Sequence, residues 1–443
     1  MLSLLLIAVG AVSVPFFVTN TDASSPQASG FLIDFGDWNV TWTKMEVPAD
    51  PYEALSAACR ENGFTHTVEE GLVKEINGTC STDAQTWDLW TISRNSLTWV
   101  KEDSPQRADL SRYTIAAWAY CSNEDTPTVA VDESGRSIYG YKQAQRTISL
   151  SPALTEIMGA MRAVQTLVGT DRYSNYPDAV VAAQNEGKIK IIGDFLNPSF
   201  ELIIGQRPDI VFCDGSLYTH HQMADRLRNT SVNAVLMYGG ESIRDIMSNI
   251  YIAGVAIGYE MRAAEVISSL KLAMHEIVDA LDTSPVSRNV KVMNALSPDK
   301  SPWITGSGTF IDDISSTVKG DNVFLSQSGW VQINSERIMA ANPSVIIILT
   351  TDYPATKDAY DRIYGSLSAE WRATEAYKTG KIYLITESAG AMSQCPSPRL
   401  AQMVEIMARI LHPEVFTDKE MPKFIGDDYE EYLTFTKYLG FND

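Results

Sequence analysis

The sequence predicts an α/β protein of two similar lobes joined by one rigid helix and preceded by a small α+β domain. Three observations carry this. From Arg146 to about Phe416, short apolar runs (TISL, KIII, DIVFC, AVLM, VKVM, SVIIIL, KIYLIT) alternate with helical stretches, the pattern of parallel sheets covered on both faces. One uninterrupted amphipathic stretch divides that region in two. Ahead of it, six of the nine tryptophans crowd into residues 31 to 125.

Residues 2 to 18 (LSLLLIAVGAVSVPFFV) form an uncharged apolar run followed by a polar, small-residue stretch. Residues 1–28 therefore read as a secretory signal peptide or a membrane anchor, which makes the rest an exported protein. The sequons at Asn39, Asn77 and Asn229 are compatible with export. In 31–125, WNVTWT and TWDLWTI alternate like strands with aromatics on one face, and YEALSAACRENGF reads as a helix stopped by Gly63. Trp38, Trp42, Trp87, Trp90, Trp99 and Trp118 are expected to pack a core, because a domain this small needs large apolar side chains. Two of Cys59, Cys80 and Cys121 could pair outside the cell.

A linker, 126–145, leads to the first lobe, 146–259. The stretch 260–283 carries Val266, Leu270, Met274, Ile277 and Leu281 at helical spacing without a glycine or proline, so it reads as one helix about 35 Å long at ~1.5 Å per residue. The second lobe, 284–416, repeats a motif of the first. Glu201 precedes Pro208 by seven residues and a buried-type strand follows; Glu336 precedes Pro343 by seven and the same kind of strand follows. The motif is a two-turn helix, a proline stop and a strand, with Ser199 and Ser335 as expected caps and each glutamate in a first turn, where negative charge is favoured. Capping alone accounts for both glutamates. The acidic, aromatic tail 417–443 is expected to form a short helix against the second lobe.

Composition excludes several functions. With 35 basic and 55 acidic residues the net charge is −20, unsuited to nucleic acid or an anionic lipid surface. Five histidines and five cysteines without zinc spacing argue against a metal site, and no cofactor is called for. There is no Gly-x-Ser-x-Gly elbow, no His-Glu-x-x-His and no phosphate-binding Gly-x-x-x-x-Gly-Lys-Ser/Thr loop, and Gly306-Ser307-Gly308 lacks the third glycine of a dinucleotide fingerprint, so no catalytic residue is assigned.

The pieces RTISLSPALTEIMGAM, VGTDRYSNYP, IIGDFLNPSFELIIGQRPDIVF, the long helix, WITGSGTFIDDISSTVKGDNVF and GWVQINSERIMAANPSVIII occur in that order. Together they resemble the substrate-binding proteins of ABC importers for corrinoids, siderophores and haem, which have a periplasmic-binding-protein fold. The resemblance implies a ligand held between two lobes, permease and ATPase subunits as partners, and an acidic residue on each lobe crest that meets the permease. Glu201 and Glu336 are the positions that match. The N-terminal pieces DPYEALSAACRENGFTHTVEE, VKEINGTC, TWDLWTI and RYTIAAWAYC resemble the small ligand-capping domain of transcobalamin, which points toward cobalamin.

A corrinoid is flat and largely apolar on its faces, with amides round its rim, so its receptor needs aromatic walls and a few polar groups. Tyr173, Tyr176, Phe195, Trp303 and Trp330 are expected in loops at strand ends, with Asp214 and Arg399 as polar contacts. His220 and His221 are expected to be solvent-exposed, and Cys213 and Cys395 to be part-buried thiols on opposite lobes. An iron-siderophore or haem receptor is the alternative ligand class; strongly anionic siderophores need convergent arginines, and here only Arg172 and Arg399 offer themselves. A cell-surface binding protein or a chelatase-like enzyme is the alternative of another kind.

Overall fold

The computed structural model describes residues 30–35, 40–44, 47–93, 100–121, 132–136, 138, 144–230, 232–437 and 439. The N-terminal apolar run, most of the linker, Trp38, Asn39 and Trp99 lie outside the described residues, as do the side chains of Trp42 and Cys121. The chain divides into two compact units, Met1–Ala144 with Val255–Met261, and Gln145–Gly254 with Arg262–Asp443.

In the first unit, strands β1 (Gly30–Asp34), β2 (Val40–Lys44), β6 (Thr86–Ser93), β7 (Val100–Lys101) and β8 (Tyr113–Cys121) form a sheet in the order β2-β1-β8-β6-β7. Strands β3 (His66–Glu69), β4 (Leu72–Ile76) and β5 (Thr79–Cys80) form a second, small sheet. Helix α1 (Pro51–Asn62) starts where the Asp50 carboxylate accepts the Tyr52 and Glu53 N–H groups, and stops at Gly63, whose φ of 69° suits a residue without Cβ. Its Leu55 and Ala58 pack with Phe31, Ile33, Trp87 and Trp118 in one core. The indoles are satisfied inside it: Trp87 Nε1 donates to the Thr79 carbonyl at 2.9 Å and Trp118 Nε1 to that of Pro51 at 3.2 Å. Trp87 and Trp118 are therefore core residues. Cys59 is buried and Cys80 exposed, and neither is in a disulfide.

The second unit holds two lobes. In the first, β9 (Thr147–Ser149), β10 (Leu167–Thr170), β11 (Lys190–Ile191), β12 (Ile210–Asp214) and β13 (Ala234–Met237) are all parallel, in the order β11-β10-β9-β12-β13. Helices α2 (Pro152–Ala160), α3 (Asp178–Asn185), α4 (Phe200–Gly205), α5 (Tyr218–Arg228) and α6 (Ile243–Ile257) connect and cover them. Residues buried on every position of β12 and β13 explain why these strands read as continuous apolar runs. Strand order reverses at β9, and in open parallel sheets such a reversal leaves a crevice beyond the carboxyl ends of the strands.

Helix α7 (Glu260–Thr283) runs without a break, burying Val266, Leu270, Ile277 and Leu281. The second lobe comprises β14 (Val290–Ala295), β15 (Trp303–Thr305), β16 (Gly320–Asn322), β17 (Trp330–Gln332), β18 (Val345–Leu349), β19 (Ile382–Ile385) and β20 (Phe424–Ile425). The main path is β17-β15-β14-β18-β19-β20, with β16 also on β14. Helices α8 (Phe310–Thr317), α9 (Ser335–Ala341), α10 (Lys357–Ser366), α11 (Ala369–Arg372), α12 (Glu375–Lys378), α13 (Glu387–Ser393) and α14 (Leu400–Leu411) complete it.

Two details depart from the sequence reading. The tail is not a short helix: it contributes edge strand β20, parallel to β19, and then a single 3₁₀ turn at Tyr429–Tyr432. It is held by Glu405, fully buried on α14, whose carboxylate accepts the N–H groups of Thr434, Phe435 and Thr436 and the Nε of Arg409. The cap of α9 is Asn334, which accepts the Arg337 N–H at 3.1 Å, rather than Ser335, which is buried in the first turn. Asparagine and serine present a side-chain oxygen equally well there, and position alone decides.

Candidate functional site

The carboxyl ends of both sheets supply one cavity of about 520 Å³ within the second unit. From the first lobe it takes Ser151 and Glu156 after β9, Arg172 and Tyr173 after β10, Phe195 after β11 and Asp214 at the end of β12. From the second it takes Thr351 after β18, and Ala391, Gln394, Cys395, Pro396 and Arg399 from α13 and the turn before α14. Its size lies within the roughly 300–1,000 Å³ typical of small-molecule sites.

Phe195 is placed by a histidine. His220 is fully buried in the first turn of α5; its Nδ1 accepts the Asp214 N–H at 2.9 Å, so Nε2 carries the proton and donates to the Phe195 carbonyl at 2.7 Å. The rings of Phe195 and His220 meet edge to face at 5.5 Å. Burial lowers the His220 pKa, keeping the ring neutral in this role. The expectation of two solvent-exposed histidines is thus corrected: His220 joins Met223, Ala224 and Leu227 on the buried face of α5, and His221 is half-buried against the Gly215 carbonyl. Asp214 is held by its own turn, accepting the Ser216 N–H at 3.0 Å and hydroxyl at 2.6 Å.

The loop that presents Arg172 and Tyr173 hangs on Asp171. That carboxylate is fully buried, accepts the Tyr173 N–H at 2.7 Å and the Ser174 hydroxyl, and is pushed up to about 6 because desolvation outweighs those hydrogen bonds. Between its ordinary value of 3.8 and about 6 the folded state holds a proton that the unfolded chain releases. The resulting stabilisation is full below the lower value and is lost as pH rises through the upper one. Asp171→Asn should therefore gain on the wild type by about 1 kcal/mol between pH 5 and 7.5, measured as the difference in urea unfolding free energy. A difference that does not grow with pH would contradict this account of the loop.

Arg399 lines the cavity, but its guanidinium meets a partner rather than open space. Nε donates to Glu156 Oε2 at 2.8 Å and Nη2 to Oε1, while the Tyr176 ring lies 4.1 Å beneath the guanidinium carbon. Arg399 is 3% exposed and Glu156 5%, so this is a buried, two-pronged ion pair between lobes. Tyr176 packs on that pair instead of facing the cavity. The Cys395 thiol beside it is raised well above its ordinary value, first by burial and then by the Glu156 charge, and stays protonated. Cys213 is likewise a buried thiol.

Two further contacts join the lobes. Asp313 on α8 accepts the Ile243 N–H at 2.8 Å. Gly240, at φ 71°, lies so close to the Pro396 ring that a Cβ would sit 2.6 Å from it.

The tryptophans are elsewhere. Trp303 and Trp330 were expected in loops, and the structure places them in the short antiparallel strands β15 and β17. Trp303 is 49% exposed and lies beyond the carboxyl end of β14, where its carbonyl accepts the Leu296 N–H; Trp330 is half-buried on the edge strand. Neither lines the cavity. Glu201 and Glu336 both project into solvent from first helical turns, α4 and α9, followed in each case by a residue of positive φ (Arg207, Asn342), a proline and a buried strand. Glu201 touches Arg226 at 3.3 Å in an exposed pair. Among the described residues no group of acidic, histidine or cysteine side chains could hold a metal ion, and no helix is long and apolar enough to cross a membrane.

An uncharacterized ABC transporter substrate-binding lipoprotein, YvrC of Bacillus subtilis, is 26% identical over 293 residues, covering 66% of this chain and 88% of that one. The molybdate-binding protein MolA of Haemophilus influenzae is 22% identical, covering 54% and 71%. The vitamin B12-binding protein of Yersinia pseudotuberculosis is 24% identical over 211 residues, covering 47% and 70%. Among solved structures, a periplasmic heme binding protein from Pseudomonas aeruginosa superposes with a TM-score of 0.52 at 18% identity, over 61% of this chain and 93% of that one, a likeness of fold. A family profile for periplasmic binding proteins matches residues 148–389, more than half of the sequence. The two lobes, the single long helix between them and the cavity at their facing strand ends are therefore those of a solute-binding protein of the ABC-importer type, and the chain belongs to the periplasmic binding protein family.

Proposed function

We propose that the protein captures a corrinoid, cobalamin or a close relative, in the interlobe cavity outside the cytoplasm and delivers it to an ABC permease and its ATPase. The observation that carries this reading is the composition of the cavity. Tyr173 and Phe195 offer aromatic faces, Ser151, Thr351 and Gln394 offer neutral hydrogen-bonding groups, and one of its two arginines is already paired. A flat ligand with apolar faces and an amide rim matches such walls. Similarity to a vitamin B12-binding protein supports it, and so does the resemblance of the N-terminal sequence to the small domain of transcobalamin. Glu201 and Glu336 would meet permease arginines.

The test is titration of cobalamin against wild type, Phe195→Ala and Tyr173→Ala. Loss of one buried aromatic face is worth roughly 1.5–3 kcal/mol, so each variant should bind about tenfold more weakly or worse. Unchanged affinity in both would remove the cavity from the site. A haem or iron-siderophore ligand is the second reading, favoured by one observation: Tyr173 is 58% exposed at the cavity, and a tyrosine oxygen can ligate ferric iron. Haemin binding that Tyr173→Phe abolishes, with no cobalamin binding, would establish it instead.

A further inference from the structure

We propose that Glu156 sets the charge selectivity of the cleft: by engaging Arg399 it makes the cleft floor electrically neutral and bars ligands of net negative charge. This deepens the reading above and rests on the interlobe cavity being the ligand site.

Two arginines and two carboxylates line the cavity. Arg172 is exposed at the mouth, where water and salt screen it. Arg399 sits at the floor, where a guanidinium would bind an anion most strongly, yet both prongs of its fork are directed at Glu156 from the opposite lobe. Tyr176 covers one face of the guanidinium. An anionic ligand could reach this arginine only by displacing a carboxylate that is itself buried and already holds both prongs of the fork. Asp214, fixed at the same wall, adds repulsion. The alternative role, a purely structural pin between lobes, predicts no dependence of binding on ligand charge.

The experiment uses the full-length chain and a ferric complex of three catecholates, net charge −3, as probe, with a neutral ferric trihydroxamate as reference. Wild type should bind the neutral complex the more tightly. In Glu156→Gln, which keeps the shape and one acceptor but frees the positive charge, affinity for the tricatecholate should rise at least about tenfold, and the gain should shrink as salt is raised. A folded E156Q that binds the tricatecholate no more tightly than wild type overturns the proposal. So does a wild type that prefers the trianion. If E156Q does not fold, the double variant Glu156→Gln with Arg399→Gln serves: a neutral pair replacing a neutral pair should leave the wild-type preference for uncharged over trianionic complexes, and a changed preference overturns the proposal. Failure of wild type to bind cobalamin would remove the corrinoid reading without touching these outcomes.

Discussion

Arg399→Ala should destabilise the protein by about 3–5 kcal/mol, read as a lowered urea midpoint of the second unit. The size follows from what the substitution leaves behind. Glu156, 5% exposed, would lose both prongs of its partner and remain a bare carboxylate between two lobes, with the Cys395 thiol beside it. The ring of Tyr176 would lose the cation stacked on it. The pair itself contributes little net stability, because taking two charges out of water offsets most of their attraction. Arg399→Met with Glu156→Leu should therefore recover most of the loss. A single variant as stable as wild type would mean that the pair is solvated in solution.

Glu201→Ala with Glu336→Ala should abolish import by the cognate transporter while leaving ligand binding intact. Both carboxylates project from exposed first turns of α4 and α9, and neither lines the cavity. Each single pair with a permease arginine is modest while solvated, so each single variant should retain partial transport. Two such contacts, one per lobe, would fix the orientation of a receptor on a two-fold partner, and losing both would remove the register as well as the attraction. Uptake of labelled cobalamin in cells carrying the double variant is the measurement. Transport at the wild-type rate would end the docking assignment.

The fold was legible because its signals are local. Continuous apolar strands, a helix without glycine or proline over 260–283, and the repeated helix–proline–strand unit around Glu201 and Glu336 can each be recognised in a window of fewer than thirty residues. Trp87 and Trp118 were legible as core for the same reason. The site was only partly legible. Tyr173, Phe195 and Asp214 line the cavity because strand-end loops in parallel sheets converge there. Glu156 was missed, since it sits mid-helix in SPALTEIMGAM and its partner lies 243 residues away; no local pattern encodes a contact between lobes. His220 was misread although a signal existed, the spacing His220, Met223, Ala224, Leu227, which puts the imidazole on the buried face of α5. Trp303 and Trp330 were assigned to loops because strands of three residues flanked by glycine and proline are too short to show alternation. The tail's strand β20, two residues long, left no periodic trace at all.

The central claim is that the interlobe cavity holds a corrinoid, and one measurement addresses it directly. Purified protein is incubated with excess cobalamin, desalted, and its visible absorption compared with its protein concentration. The account predicts retained colour at one mole of corrinoid per mole of protein, lost when Phe195 and Tyr173 are both replaced by alanine. A correctly folded wild type that emerges colourless from cobalamin, and coloured from haemin or a ferric siderophore, would contradict it.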